Sequence, residues 1–189
     1  VVPTTDSVRL TYMTQLALQR EKHVLIPGNT GTGKSIGVQQ WLSKGAPDRI
    51  VPLFVNFSAQ TGVNQFQDLM DSRLEKRRRG VYGPPPGKLM VIFVDDLNMP
   101  EVETYGAQPP IELLRQLIDN GGWYNLHEMT WQTNIDTTVL AAMGPPTGGR
   151  NQITPRLMRH FNLLCFAEFD NATLERIFTA IVNWYYTSN

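Results

Sequence analysis

The residues whose chemistry is easiest to interpret form a glycine-rich loop at positions 28–35, GNTGTGKS. They match G-x-x-x-x-G-K-[ST], in which backbone N–H groups cradle phosphates, the lysine reaches the β- and γ-phosphates and the hydroxyl ligates Mg²⁺. Glycines can adopt the backbone angles that aim these N–H groups inward, and a helix N-terminus behind the loop adds partial positive charge. The pattern therefore predicts a triphosphate site with Lys34 and Ser35 as its main polar side chains.

The segments beside the loop favour this interpretation over a glycine-rich turn that carries a chance Lys-Ser pair. Residues 23–26 form a short apolar run that predicts a buried strand before the loop. Residues 36–42 can form a helix after it, which Gly45 is placed to end. Strand, loop and helix in this order are the context that the motif requires.

A pair of carboxylates provides the second chemical signal. Residues 89–94 are mostly apolar and are followed at once by Asp95 and Asp96. Ligands bind at the carboxyl ends of strands in open α/β sheets, so we expect Asp95 on Mg²⁺, directly or through water. We expect Asp96 to orient or deprotonate an attacking water. The alternative is a strand that merely stops at a polar turn.

The remaining elements alternate between strands and helices. We predict a helix at about residues 5–20 capped by Thr5 or Asp6, an edge strand at 50–57, and an amphipathic helix at about 63–78. Further along we predict a helix at 109–118, a polar hairpin or loop at 123–132, strands at 137–143 and 161–166, and a last helix capped by Asn171 or Thr173. The cations at 76–79 are interpreted as a solvated helix end, with a partner-facing or phosphate-facing patch as the alternative. This alternation predicts an α/β fold with a parallel sheet.

Composition limits the classes of protein that fit. The 189 residues suit one domain, and their zero net charge argues against a nucleic acid surface spread over the whole domain, though not against a local patch. No apolar span of membrane length and no secretory signal occurs in the sequence, so no membrane partner is expected. The single Cys165 cannot form an intramolecular disulfide, which favours a reducing, intracellular setting. Because the chain starts at Val1 without a Met, we interpret it as part of something longer.

Taken together, these motifs resemble the large subdomain of an AAA+ ATPase, a three-layer P-loop NTPase with a five-stranded parallel sheet flanked by helices. More narrowly, the segments at 91–100, 105–116 and 142–151 look like the third AAA+ module of an axonemal dynein heavy chain. Residues 56–61 and 76–78 match as well. The resemblance covers nearly the whole chain.

The resemblance implies a very large parent motor with a ring of six AAA+ modules, in which the third module is regulatory. It implies movement along microtubules, and a location in the cytoplasm and cytoskeleton, at the axoneme of a cilium or flagellum. The implied partners are neighbouring AAA+ modules of the same heavy chain, microtubules reached through other parts of it, and dynein intermediate and light chains. Residues 1–189 would be one large subdomain, with the small helical subdomain essentially absent.

It also implies a set of site residues for ATP or ADP with Mg²⁺. In the family the N-terminal segment runs over the adenine. The implied nucleotide-binding residues are Val1, Val2, Pro3, Thr4, Gly28, Asn29, Thr30, Gly31, Thr32, Gly33, Lys34, Ser35 and Ile36. Ser35 and Asp95 would bind the metal, while Lys34 and Asp96 would act in catalysis. Arg159, or alternatively Arg156, would serve in trans as a cationic finger for a neighbouring module, unless both simply pair with nearby carboxylates or solvent.

Two departures from the AAA+ pattern bear on activity. The second acid is Asp96, where many AAA+ ATPases have the longer Glu, and a displacement of about 1 Å can cost a hundredfold in rate. The position of the polar sensor is Gly144, with Asn151 as a possible substitute. We therefore expect an ATPase that is slow and weak in isolation, or alternatively a non-hydrolysing regulatory module. A P-loop kinase or GTPase is disfavoured, because the sequence contains neither a guanine-reading segment nor an arginine-rich lid.

Overall fold

The computed structural model describes residues 2–126 and 128–188. Within them, five parallel strands form the main sheet: β1 (Val24–Pro27), β2 (Ile50–Asn56), β5 (Leu89–Asp95), β8 (Thr137–Met143) and β9 (Asn162–Leu163). Their spatial order is β2-β5-β8-β1-β9. The predicted parallel five-stranded sheet is confirmed. Among the described strands β2 pairs only with β5, which confirms the edge position that Pro52 indicated.

Helices cover both faces of this sheet. They are α1 (Thr5–Gln19), α2 (Lys34–Lys44), α3 (Val63–Asp71), α4 (Pro109–Asn120) and α5 (Pro155–Met158). The last helix, α6 (Asn171–Ser188), is exposed along most of its length. The side chains of β5 alternate between two cores, with Ile92 in the one that α3 and α4 help to form and Phe93 in the one that α1 and α2 help to form. Both residues are fully buried. A strand that is buried on both faces is typical of a parallel sheet between helical layers, and the three-layer prediction is confirmed.

A second sheet corrects the predicted helix at 63–78. The helix ends at Asp71, and the basic run forms β3 (Glu75–Arg78), which pairs antiparallel with β4 (Val81–Gly83). Gly80, with φ of +71°, makes the tight turn between them. The hairpin β6 (Gly122–Tyr124) and β7 (Trp131–Asn134), which was predicted, completes a sheet of order β3-β4-β7-β6. The cations therefore lie on a strand and its turn and do not end a helix.

The helix caps also differ from the predictions. Thr4 caps α1, because its hydroxyl accepts a hydrogen bond from the Ser7 N–H at 3.2 Å while the Ser7 hydroxyl accepts from the Thr4 N–H at 2.9 Å. At the start of α6 the Asp170 carboxylate accepts from the Thr173 N–H at 2.8 Å. Such reciprocal or side-chain caps satisfy N–H groups that have no partner within the helix. Within the described residues no helix has the length and apolar character required to cross a membrane.

Candidate nucleotide-binding site

The glycine-rich loop connects β1 to α2 with the backbone that its glycines permit. Gly31 and Gly33 have φ of +84° and +78°, a region that residues with a Cβ rarely adopt. Gly33 is the residue directly before α2, so the loop delivers its N–H groups to the positive end of that helix. Thr30 and Gly31 are exposed at the tip of the loop, and Ile36, in the first turn of α2, is also exposed. The loop therefore presents its backbone to solvent.

Close contacts hold the base of the loop against the sheet. The Gly28 N–H donates to the Met143 carbonyl at 3.1 Å, which ties the loop to the end of β8. A Cβ on Gly28 would lie 2.8 Å from the Phe166 carbonyl oxygen, so the close approach of that segment requires glycine here. The Asn29 side chain donates to the Glu168 carboxylate. Glu168 is a contact of the loop that the motif alone did not indicate.

Lys34 is a buried cation with a place for an anionic partner beside it. Its Nζ donates to the Asn29 carbonyl at 3.0 Å, and Thr32 Oγ1 donates to the same oxygen at 2.9 Å. Burial lowers the pKa of Lys34 below its ordinary value; Asp95 and Asp96 oppose the shift, and the positive charge of Arg150 adds to it. Desolvation disfavours the charged form of an amine, so a phosphate group beside Nζ would stabilise the charged ammonium form of Lys34.

Ser35 and Asp95 meet as the sequence predicted. The Ser35 hydroxyl donates to Asp95 Oδ1 at 2.8 Å, and both residues are partly buried. Ser35 comes from the first turn of α2 and Asp95 from the last position of β5, so two neighbouring elements position the pair. Mg²⁺ prefers oxygen ligands and is often held by one or two protein groups plus phosphates, a donor set that these oxygens fit. No group of three or more His, Cys, Asp or Glu side chains gathers as a metal site in the described ranges.

Asp96 adopts an unusual backbone conformation beside this pair. Its φ is +50°, a left-handed value that Asp tolerates better than most residues. Its side chain is 47% exposed, and Oδ1 lies 3.4 Å from Arg150 Nη2. The Asp96 N–H donates to Asp95 Oδ1 at 3.1 Å, so Asp95 receives hydrogen bonds from both Ser35 and Asp96. The left-handed turn separates the two acids into different directions.

Arg150 is the site residue that the sequence analysis missed. A Cβ on Gly144 would lie 2.8 Å from Arg150 Nε and 2.9 Å from its Cδ, so the arginine occupies the space left by the missing side chain. Asn151, the suggested substitute for a polar sensor, donates instead to the Pro100 carbonyl at 2.8 Å and fixes the loop. The sequence did contain one indication of this contact: Gly144, directly after β8, is followed six residues later by the long, positively charged side chain of Arg150.

The N-terminal segment is placed in part. Val1 lies outside the described residues, Val2 is half-buried and Pro3 is exposed. Pro3 lines a cleft of about 560 Å³ between α1 and α2, together with Tyr12, Gly37 and Trp41. Pockets of this size accept small ligands. The buried Thr4 hydroxyl caps α1 and does not line the cleft.

The proposed finger residues lie on a different element. Arg159 is 63% exposed and its Nη2 lies 2.9 Å from Asp119 Oδ1. Asp119 also pairs with Arg115 and His160, each at 2.8 Å. Desolvation alone would raise the pKa of Asp119, but hydrogen bonds from Arg159 and Arg115 outweigh it and hold the pKa below its ordinary value. Arg156 is exposed on α5.

The parallel sheet, the loop between β1 and α2, and the acids at the end of β5 define a P-loop nucleotide-binding protein of the AAA+ type. Residues 1–169 match the family model described as the P-loop containing dynein motor region. The chain belongs to this family.

Curated relatives agree with this assignment. The chain is 50% identical over 189 residues to "Dynein axonemal heavy chain 12" of Rattus norvegicus. This alignment covers 98% of the chain and 6% of that protein. It is 50% identical over 186 residues to "Dynein axonemal heavy chain 1" of Homo sapiens and 52% identical over 183 residues to that of Mus musculus. These alignments cover 97% and 96% of the chain but 4% of each relative. The chain thus spans a small part of the heavy chains that it matches.

Proposed function

We propose that this chain binds Mg-ATP and Mg-ADP as an AAA+ module of an axonemal dynein motor, and that it hydrolyses ATP slowly. The observation that carries the proposal is the 2.8 Å contact between Ser35 and Asp95 beside the buried Lys34. This arrangement places two oxygen ligands and a cation at the mouth of a phosphate-binding loop. Each group has the type and position that a metal-bound triphosphate requires.

The roles follow from where each group lies. The loop N–H groups from Gly28 to Ser35 and the Lys34 ammonium bind phosphate oxygens, while Ser35 and Asp95 hold Mg²⁺. A magnesium ion held by these two oxygens would supply positive charge that neutralises the transferring phosphate. Asp96 orients or deprotonates the attacking water. The N-terminal segment that includes Val2, Pro3 and Thr4 contacts the base.

The assignment to a motor ring extends beyond the chain itself. The relatives are named axonemal dynein heavy chains, and we place the chain in the third module of such a ring, as its large subdomain, in the cytoskeleton of a cilium or flagellum. Its partners there are neighbouring modules of the same heavy chain, microtubules bound by other parts of that chain, and dynein intermediate and light chains. Arg159 is 63% exposed, and as a finger it would exchange its contact with Asp119 for a neighbouring module's nucleotide.

A second candidate is a regulatory module whose nucleotide is bound but not hydrolysed. One observation favours it: Arg150 Nη2 lies 3.4 Å from Asp96 Oδ1, where it competes with water for that oxygen. A cationic finger can be worth about 10³ to 10⁵ in rate, so the chain without a neighbour would be slow under either candidate. The two candidates must be separated by the effect of Asp96 itself.

A single-turnover experiment tests the proposal. The chain is loaded with Mg-ATP, freed of excess nucleotide, and its bound nucleotide is followed by chromatography over hours, beside Asp96→Ala. We expect slow conversion to ADP in the wild type, persistent ATP in the variant, and equal initial occupancy in both. If ATP persists equally in both proteins, the cause is either the short acid or the absent finger, and Asp96→Glu under the same conditions separates them: conversion to ADP would identify the short acid, and persistent ATP the missing neighbour. Failure of the folded wild-type chain to retain either nucleotide would overturn the proposal entirely.

A further inference from the structure

The guanidinium of Arg150 lacks close hydrogen-bond acceptors for some of its N–H groups. Its nearest acidic oxygen, Asp96 Oδ1, lies 3.4 Å from Nη2, well beyond the 2.7–2.9 Å of a strong charge-assisted hydrogen bond. Arg150 Nε is buried and, among the described residues, has no hydrogen-bond partner. A buried N–H without an acceptor is unfavourable, so this side chain would gain from an anion that accepts from both nitrogens.

The surrounding backbone holds Arg150 at this place. Asn98 Nδ2 donates to the Gly144 carbonyl at 2.9 Å, which fixes the start of the loop. The Asn151 N–H donates to the Asn98 carbonyl at 2.9 Å, and Asn151 Nδ2 donates to Pro100 at 2.8 Å, which fixes its end. Since both ends are tied to the segment that follows Asp96, Arg150 stays beside the acidic end of β5.

Arg150 passes through the space that a side chain at position 144 would occupy. An ideal Cβ there would lie 2.8 Å from Nε, 2.9 Å from Cδ and 3.3 Å from Cζ of Arg150. The side chain is 21% exposed, so it lies against the protein and not out in solvent. A Cβ at this position would therefore require the Arg150 side chain to shift.

Lys34 and Arg150 lie beside the same pair of acids. Ser35, next to Lys34, donates to Asp95 Oδ1 at 2.8 Å, and Arg150 Nη2 lies 3.4 Å from Asp96 Oδ1. The positive charge of Arg150 also contributes to lowering the pKa of Lys34, although burial is the larger cause. Two cations are therefore grouped at this end of β5. An additional phosphate would be attracted by both, and its oxygens would supply the acceptors that Arg150 Nε lacks.

Resting on the proposed function, we propose that Arg150 distinguishes ATP from ADP by exchanging Asp96 for the terminal phosphate of a nucleoside triphosphate. With a diphosphate the guanidinium stays on Asp96, and the acid remains occupied. With a triphosphate it moves to the added phosphate, and Asp96 becomes free to hold water. The same residue thus selects the triphosphate and makes the acid available only when that triphosphate is present.

Equilibrium binding of Mg-ATP and Mg-ADP to the 189-residue chain tests this assignment. Arg150→Met should weaken ATP binding by about tenfold or more and change ADP binding by less than about twofold, since the lost interaction involves a charged group. The matched control is Arg79→Met, an exposed arginine in the turn of the β3–β4 hairpin. It should change neither affinity.

Gly144→Ala tests the geometry without removing the charge. We expect it to reproduce the loss of ATP preference, and the double variant Gly144→Ala with Arg150→Met to be no worse than Arg150→Met alone. Retained ADP binding shows that a variant is folded. If Arg150→Met no longer binds ADP, the ratio of ATP to ADP affinity in Gly144→Ala tests the inference instead. An unchanged ratio of ATP to ADP affinity in the folded variant would overturn this inference and leave the proposed function intact. A wild-type chain that binds neither nucleotide would overturn both.

Discussion

The Ser35 hydroxyl donates a hydrogen bond to Asp95 Oδ1 at 2.8 Å, across 60 positions of the chain. The contact joins the first turn of α2 to the last residue of β5. It brings together two oxygens that separate sequence motifs had each assigned to Mg²⁺. Because Asp95 also accepts from the Asp96 N–H, the contact orients the turn that carries the second acid.

Removing the Ser35 hydroxyl or the negative charge of Asp95 should make nucleotide binding less dependent on magnesium. For Ser35→Ala and for Asp95→Asn we expect Mg-ATP affinity to fall about tenfold to a hundredfold, because each loses a metal ligand or a charged partner. Titration with ATP in Mg²⁺ and in EDTA measures the effect. Ser72→Ala, which removes an exposed hydroxyl that donates to Leu69, is the control. An equal loss in EDTA would contradict the assignment of these oxygens to the metal.

Stability should decrease as the pH falls through the weakly acidic range because of His23. Its Nδ1 accepts from the Val139 N–H at 3.0 Å, and burial, with smaller effects of His160 and Lys22, lowers the pKa from 6.5 to about 4. The unfolded chain therefore binds the proton more readily between about pH 6.5 and 4, and folding weakens as pH falls through that window. After allowance for partial exposure, we expect a loss of about 2 kcal/mol.

His23→Asn is the variant that checks this dependence, because Asn Oδ1 can accept the same N–H without titrating. Urea unfolding at pH 7.5 and pH 5 should show a smaller decrease for the variant than for the wild type. The comparison variant is His160→Asn, which removes only a smaller contribution to the lowered His23 pKa and should therefore keep most of the decrease. An equal decrease in wild type and His23→Asn would show that other groups cause the acid sensitivity.

Two glycines should respond in opposite ways to alanine. At Gly122 in β6 a Cβ would clash with the Gln132 carbonyl oxygen and lie 3.0 Å from the Gln132 carbonyl carbon, so Gly122→Ala should cost more than about 3 kcal/mol. At Gly37 in α2 a Cβ meets nothing within 4 Å, and Gly37→Ala should stabilise by about 0.5–1 kcal/mol. Thermal melts of the two variants compare them directly. A tolerated Gly122→Ala would refute the close pairing of β6 with β7.

The backbone conformation at Asp96 predicts that Asp96→Glu lowers the stability of the fold but raises the rate of ATP hydrolysis. With φ of +50°, this position favours Asp over Glu, so Asp96→Glu should cost about 1 kcal/mol of stability. The longer acid should nevertheless reach the attacking water better and speed conversion of bound ATP. Asp136→Glu, at another residue with positive φ of +54°, is the control and should lose stability without any change in conversion. Slower conversion by Asp96→Glu would contradict the argument from reach.

The sequence alone predicted the phosphate loop, the parallel sheet and the contact partners Ser35 and Asp95. These depend on local signals, since a buried parallel strand is a continuous apolar run and the loop is a fixed pattern of glycines. The second sheet was missed because the apolar spacing of Val63, Phe66, Met70 and Leu74 continues past Asp71, where the helix ends. Leu74 is buried, but it lies in the connection directly before β3 and not in a helix.

Arg150 was missed for a different reason. Its position beside Asp96 depends on the course of the loop at 144–151, which Asn98, Asn151 and Pro100 fix through long-range hydrogen bonds. No local pattern encodes such contacts. The left-handed backbone of Asp96 is likewise a consequence of the tight turn after β5, and Asp at that position signals it only weakly.

The most direct test of the central claim, that this loop binds the phosphates of Mg-ATP, is equilibrium binding of Mg-ATP to the wild-type chain and to Lys34→Met. Methionine preserves much of the buried alkyl volume, and the lost group is a desolvated cation with one hydrogen bond to Asn29, so the fold should be retained. The account predicts tight binding by the wild type and a loss of about a hundredfold or more in the variant. Equal affinity in the two folded proteins would contradict it.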